Sequence, residues 1–112
     1  MTGEVQITDQ VVAVIAGLAA TEVKGVRSLT GNITYELISR MGMKSLSKGV
    51  KVKVNDHEVL VYLALNLEYG FNIPKTSRLV QEKVKTTLEN MTGLEVVEVN
   101  VRIAGVNIEN QK

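Results

Sequence analysis

The amino-acid sequence predicts an α+β fold: a two-layer sandwich in which a mostly antiparallel, four-stranded sheet carries two main helices on one face. Three observations lead to this prediction. Apolar residues recur at every second position over 50–54, 59–69 and 96–108, which is the period of half-buried strands. The segments 9–24 and 73–91 instead space their apolar residues as helices do. Since no repeat or linker interrupts the sequence, one domain is predicted over its 112 residues.

In the first quarter of the chain, the sequence predicts an extended segment at 4–7, a helix at 9–24 and a short strand at 26–30. Thr8 stands where an N-cap belongs, so its side chain is expected to accept a bond from an amide of the first turn. Gly25 is expected to end the helix. The stripe expected to line this helix is Val11, Val12, Ile15, Leu18, Ala19, Glu22 and Val23.

The segment 32–48 gives a mixed signal. Ile33, Leu37, Ile38 and Met41 have helical spacing, and glycines and serines then interrupt the pattern. The sequence therefore predicts a short helix followed by a flexible basic loop. The cations assigned to this loop are Arg40, Lys44 and Lys48.

A β-hairpin is the clearest signal in the chain. The alternating strand 50–54 leads through turn residues at 55–58 into the long strand 59–69. One face of the long strand is strongly apolar and requires cover by another layer. The residues of that face are Val59, Val61, Leu63, Leu65 and Leu67.

The second main helix is predicted at 73–91, between an N-cap at Asn72 and a C-terminal stop at Gly93. Its expected buried stripe is Leu79, Val80, Val84, Leu88 and Met91. The residues expected on the opposite, solvated side are Lys75, Arg78, Glu82, Lys85 and Glu89.

The last strand is predicted at 96–108, because Val97, Val99, Val101 and Ile103 alternate with more polar residues. After Gly105 the apolar positions slip by one residue. A β-bulge produces such a slip, so a bulge is predicted there.

Composition restricts the classes of function. The 13 lysines and arginines nearly balance 12 acidic residues, which argues against a strongly basic nucleic-acid binder. The absence of cysteine excludes disulfides, thiolate catalysis and sulfur-ligated zinc, and it fits a cytoplasmic protein. No signal peptide is visible, and the apolar stretches are too short to cross a bilayer. Direct membrane insertion is therefore not expected.

No catalytic, cofactor or metal-binding set stands out, so the chain is predicted not to be an enzyme. The only histidine, His57, lies in a turn between Asp56 and Glu58, where a catalytic triad has no cleft. These three consecutive side chains diverge, which leaves at most a weak metal site. Phosphate-binding glycine motifs are absent.

The sheet face opposite the helices carries the candidate interaction surface. Leu60 and Tyr62 are apolar where an open sheet face is usually polar, and Lys51, Lys53 and Arg102 are expected around them. Scattered surface apolar residues are one alternative. Cover by the segment 32–47 is another, through Ile33, Leu37 and Ile38.

Two kinds of occupant are considered for this face. The first is a protein partner or a second copy, since pairing of the edge strand 96–108 with its counterpart would bring two such surfaces together. The alternative is a small ligand or RNA bound to the open face.

Three stretches of the chain carry a family resemblance. The first is residues 3–8 with the helix exit at 24–26, and the second is residues 48–52 with the turn at 69–74. The third consists of residues 80–85, 91–94, 97–101 and 104–106. In order and spacing they resemble the bacterial alkaline shock protein family, also described as Gls-type general stress proteins. The segment 32–47 matches least, and the tail after Ile108 is short.

This resemblance implies a protein of Gram-positive bacteria without known catalytic activity. It implies a cytoplasmic adaptor, scaffold or regulator in cell-envelope stress or lipid homeostasis, held near the membrane through a protein partner in some members. The matching residues are mostly glycines, valines and turn formers, which determine the fold. No catalytic residue is carried over.

Overall fold

In the computed structural model, which describes residues 8–41 and 49–107, three helices and four strands are found. The helices are α1 (Asp9–Glu22), α2 (Tyr35–Met41) and α3 (Ile73–Thr92). The strands are β1 (Val26–Leu29), β2 (Val50–Asn55), β3 (Glu58–Glu68) and β4 (Glu95–Asn107). These elements confirm the predicted α+β class. The extended segment predicted at 4–7 lies outside the described residues, as do Lys44 and Lys48 of the predicted loop.

The sheet is organised around β3, which pairs with each of the other three strands. The β2–β3 hairpin and the β1–β3 pair are antiparallel, whereas β4 runs parallel to β3 because α3 carries the chain back across the sheet. Since β4 occupies one edge of β3 along its length, β1 and β2 share the other edge. They meet beside Ala64, whose N–H donates to Gly49 O (3.0 Å) and whose carbonyl accepts from Thr30 N (2.9 Å).

The second layer consists of α1 and α3, which contact each other and cover one face of the sheet. Beneath them, the predicted apolar face of β3 is almost completely buried, from Val59 to Leu67. Val80, Val84 and Leu88 of α3 complete the core from above. An ion pair between Lys83 and Glu22 (3.5 Å) joins the two helices at the surface.

The predicted helix caps are confirmed. Thr8 Oγ accepts from Val11 N at 3.3 Å, and Asn72 Oδ1 accepts from Lys75 N at 2.8 Å. Gly93 ends α3 in the left-handed conformation, with φ of +76°. The end predicted for α1 is wrong by two residues, since the helix stops at Glu22.

The buried side of α1 differs from the predicted stripe. Val12 and Ala19 are buried as expected, but Val11 is exposed and Ile15 and Leu18 are only half-buried. The packed side consists mainly of small residues, namely Ala16, Gly17, Ala19 and Ala20. Small side chains let a helix approach both the sheet and α3 closely, so volume rather than hydrophobicity decides which side faces inward.

The predicted stripe of α3 is too wide. Its buried residues are spaced by four, at Thr76, Val80, Val84 and Leu88. Leu79 and Met91 lie on the flanks of this line and are 45% and 66% exposed. Lys85 is exposed as predicted, whereas Glu89 is half-buried, and both also bond to the backbone of β4.

Strand β4 contains two irregularities. The bulge predicted at Gly105 is confirmed, since Leu65 pairs with Ile103 and Asn66 with Gly105. An unpredicted shift occurs near the start of the strand, where Val97 has no partner on β3 and is 52% exposed. The alternation predicted from Val97 is therefore wrong at its first position, and Val96 and Val99 face the core instead.

The short helix predicted after residue 32 is α2, which packs against α1. Ile33 and Ile38 are buried in the core, and Leu37 packs against it. Arg40 belongs to the last turn of α2, so its assignment to the loop is wrong. No helix among residues 8–41 and 49–107 is long and apolar enough to cross a membrane.

Candidate functional site

All five residues of the predicted interaction surface lie on the sheet face opposite the helices, called the open face below. Lys51 and Lys53 of β2 pair with Tyr62 and Leu60 of β3. On the other side of β3, Arg102 of β4 pairs with Ala64. Because side chains directly opposite each other share a face, three separate strands bring the five residues together.

Exposure within the open face falls from its rim to its centre. Lys51, Lys53 and Arg102 are exposed at the rim, while Tyr62 is 43% exposed and Leu60 is half-buried. Ala64 is only 7% exposed, although it faces away from the helices. It lies in a depression of about 360 Å³ that also borders Lys51, Tyr62, Asn100 and Arg102.

The charge of the open face is mainly positive. Lys51, Lys53 and Arg102 form no ion pair with any residue that the structure describes. The acidic residues around them are Glu98, which pairs with Leu60 along the sheet, Glu58, and Asp9, which borders one hollow with Lys51 and Tyr62 and a second hollow with Leu60. At the far end of β3, the pair Arg27–Glu68 (3.8 Å) is charge-balanced. Three cations that form no ion pair among the described residues thus lie around Tyr62, with Asp9 and Glu98 nearby.

The open face is not covered by the described part of the segment 32–47. Ile33, Leu37 and Ile38, the residues through which cover was considered, belong to the helix-side core. Residues 42–48 lie outside the described part of the chain. Leu60 and Tyr62 therefore remain accessible on the structure described.

A second cluster joins His57 and Glu58 to Glu95, whose ligand atoms all lie within 4.8 Å of one another. Glu95 comes from the start of β4, where its N–H donates to His57 O at 2.8 Å. The His57 Nδ1 lies 3.2 Å from the Asp56 carboxylate. This set offers three ligands of types that zinc accepts. All three side chains are exposed, however, as is common for acidic groups that hold no metal.

Sequence reasoning placed Ala64 and Asn100 on the open face without assigning them to a site, and it missed Glu95. Alternation along β3 places Ala64 on the open face, but an alanine gives no sign of a depression. Glu95 is distant from His57 in sequence, and only the parallel pairing of β3 with β4 brings them together. No local motif signals such a contact.

Comparison with known proteins identifies the family of this chain. A family model described as the alkaline shock protein 23 family, with cell envelope-related function, matches residues 1–108. The uncharacterised protein YqhY of Bacillus subtilis is 38% identical over 109 residues, covering 97% of this chain and 81% of YqhY. The uncharacterised protein YloU of the same species is 29% identical, covering 96% of this chain and 92% of YloU.

A stress response regulator gls24 homolog of Streptococcus pyogenes is 29% identical over 110 residues. The match covers 97% of this chain and 62% of that protein. No solved structure matches the chain. With the family model matched over nearly its whole length, the chain belongs to the alkaline shock protein family, whose described function relates to the cell envelope.

Proposed function

We propose that this protein is a non-enzymatic interaction protein that serves as an adaptor, scaffold or regulator in cell-envelope stress or lipid homeostasis. One observation carries the proposal: three strands place a half-exposed tyrosine and a leucine between cations that form no ion pair with residues 8–41 and 49–107, on a sheet face that these residues leave uncovered. Tyrosine and arginine are enriched among residues that dominate protein–protein binding. The family description supports the link to the envelope.

A protein partner is the proposed occupant of the open face. We place the protein in the cytoplasm, associated with the membrane through such a partner rather than by insertion. Self-association is the second mode considered, through pairing of the β4 edge with a second copy. In both modes Leu60 and Tyr62 lie within or beside the contact.

A small anionic ligand is a second candidate, favoured by the depression beside Ala64. Its volume of about 360 Å³ falls at the lower end of small-molecule sites. RNA has less support, because single-stranded sites combine several stacked aromatic side chains with a basic groove. The open face presents one tyrosine among the described residues.

The test is the double variant Tyr62→Lys with Leu60→Ser. Both positions face away from the core, so the variant is expected to fold and to lose partner binding, self-association or both. Light scattering after size-exclusion chromatography measures the mass, and a pull-down from native cells measures partner binding. Nucleic-acid absorbance and lipid mass spectrometry of the purified protein test the second candidate.

The matched control is Leu79→Ser with Met91→Lys, which changes two exposed apolar residues of the helix layer. This control should keep the wild-type mass and partners. If the open-face variant also keeps both, the open face is not the working surface and the proposal fails.

A further inference from the structure

The depression on the open face exists because small residues meet there. Ala64 points out of the open face, and its N–H donates to the carbonyl of Gly49, which has no side chain. Larger side chains surround this low point, with Tyr62 further along β3 and Arg102 paired across on β4. Lys51 stands on β2 opposite Tyr62, so two strand spacings of about 4.8 Å, and an offset of two residues along β3, separate the backbones that carry the two cations.

The charge of the depression suits an anion. Lys51 and Arg102 both border it and have no ion-pair partner among the residues the structure describes. Asn100 adds a side-chain amide to the same lining. No acidic residue lines this depression, although Asp9 borders a neighbouring hollow with Lys51 and Tyr62, and Glu58 borders another near Lys53. An arginine and a lysine on opposite sides are thus free to contact one anionic group.

We propose that this depression receives a carboxylate side chain from an acidic segment of a protein partner. Lys51 and Arg102 bind the carboxylate, and Leu60 and Tyr62 pack against apolar parts of the same segment. The inference rests on the proposed function, because it assigns a chemistry to the partner of the open face. Charge complementarity of this kind mainly controls association rate and partner choice.

A protein segment fits the open face better than a membrane or a nucleic acid does. Lipid surfaces are recognised by clusters of about four to eight basic residues, and the open face has three. A discrete carboxylate beside an apolar contact requires neither a long basic track nor several stacked bases.

The experiment uses the whole chain and a labelled, end-blocked oligoglutamate peptide, with oligoglutamine of equal length as the neutral comparison. Fluorescence anisotropy measures affinity, and amide chemical shifts locate the contact. Oligoglutamate should bind and shift the amides of Lys51, Tyr62, Ala64, Asn100 and Arg102. Phosphatidylglycerol–phosphatidylcholine vesicles and a single-stranded oligonucleotide are measured in parallel.

Two variants test the depression by independent means. Lys51→Glu with Arg102→Glu reverses both cations and should lower the affinity for oligoglutamate by about tenfold or more. Ala64→Leu fills the depression without altering charge and should also weaken binding. Lys75→Glu with Arg78→Glu makes the same change in net charge on α3 and should leave the affinity nearly unchanged, provided that thermal unfolding shows every variant folded.

Several outcomes would overturn the inference. It fails if oligoglutamate does not bind, if the α3 control loses as much affinity, or if vesicles or the oligonucleotide bind more tightly at the same amides. It also fails if Lys51→Glu with Arg102→Glu keeps native-cell partners that Tyr62→Lys with Leu60→Ser loses. In that last case the proposed function stands and only the acidic chemistry of the partner is wrong.

Discussion

Gly49 occupies the point where β1 and β2 meet beside β3. A Cβ built on it would lie 2.6 Å from Leu29 Cβ and 3.3 Å from Thr30 N. Leu29 is completely buried and Thr30 N is bonded to Ala64 O, so neither neighbour can move aside easily. At the residue scale, one missing side chain therefore allows two short strands to share one edge of β3.

Gly49→Ala is expected to destabilise the protein by about 1–3 kcal/mol, because the added methyl group overpacks a buried junction. Urea unfolding measures the loss. The comparison is Gly105→Ala, whose Cβ would meet one side-chain atom, the Asn66 oxygen at 3.1 Å, and no backbone atom, so its loss should be smaller. Equal losses for the two variants would contradict this account of the junction.

The buried polar side chains also have hydrogen-bond partners. Ser28 is almost completely buried, and its hydroxyl accepts from Asn66 Nδ2 at 3.2 Å. Among residues 8–41 and 49–107, no buried side-chain nitrogen or oxygen lacks a partner. Among the described residues, the polar side-chain groups that are available for binding therefore belong to the surface.

At the scale of elements, the outer edge of β4 is partly closed by side chains of α3. Gln81, Lys85 and Glu89 are spaced by four along the helix and reach over this edge. Gln81 Nε2 donates to Val99 O (3.0 Å) and Lys85 Nζ donates to Val96 O (3.4 Å), while Glu89 Oε2 accepts from Val96 N (3.2 Å). These bonds satisfy edge groups that would otherwise be open to another strand.

The hydrogen bonds that Glu89 contributes at the β4 edge depend on pH. The hydrogen bond from the Lys85 ammonium, followed by that from Val96 N, holds the pKa of the Glu89 carboxyl below its usual value of 4.5. A lowered pKa in the folded state means that the carboxylate stabilises the fold above the pKa of the unfolded chain. This stabilisation is lost as the pH falls through the lower, folded-state pKa.

Glu89→Gln should therefore lower the thermal midpoint at neutral pH, and the difference from wild type should shrink on acidification. Thermal unfolding followed by circular dichroism across this pH range measures both effects. Glu82→Gln, an exposed change on the same helix, serves as control and should follow the wild type. A Glu89→Gln difference that stays constant with pH would refute the proposed role of the carboxylate.

At the scale of the whole molecule, the helix layer and the sheet share one core. The buried residues of α3, which recur every four positions from Thr76 to Leu88, form the helix side of that core. Leu88 is fully buried against the sheet, whereas Leu79 lies on the flank of these residues and is half-exposed. Because both leucines are on one helix, the same substitution at each position separates the contribution of core packing to stability from that of helix propensity.

Leu88→Ala is expected to cost about 2–5 kcal/mol, the usual range for truncating a buried leucine. Against a total stability of about 5–15 kcal/mol, this loss is large enough to unfold much of the protein. Leu79→Ala should cost less than about 1 kcal/mol, since part of that side chain is already in water. Urea midpoints for the two variants measure the difference, and similar losses would show that α3 is rotated from its described position.

The sequence by itself determined the features that depend on neighbouring residues. Alternation at 50–54 and 59–69 identified the hairpin and separated the faces of β3, which put Lys51, Lys53, Leu60 and Tyr62 together on the open face. Thr8, Asn72 and Gly93 marked helix ends because a cap bonds within the first or last turn.

Only the tertiary structure decided the features that depend on distant contacts. Parallel pairing of β4 with β3 brings Arg102 beside Ala64 and Glu95 beside His57, and the shift at Val97 decides which valines face the core. The small side of α1 is buried because space between the layers, rather than hydrophobicity, selects it. Strand pairing and interlayer volume arise from segments far apart in the chain, so no local period of residues can encode them.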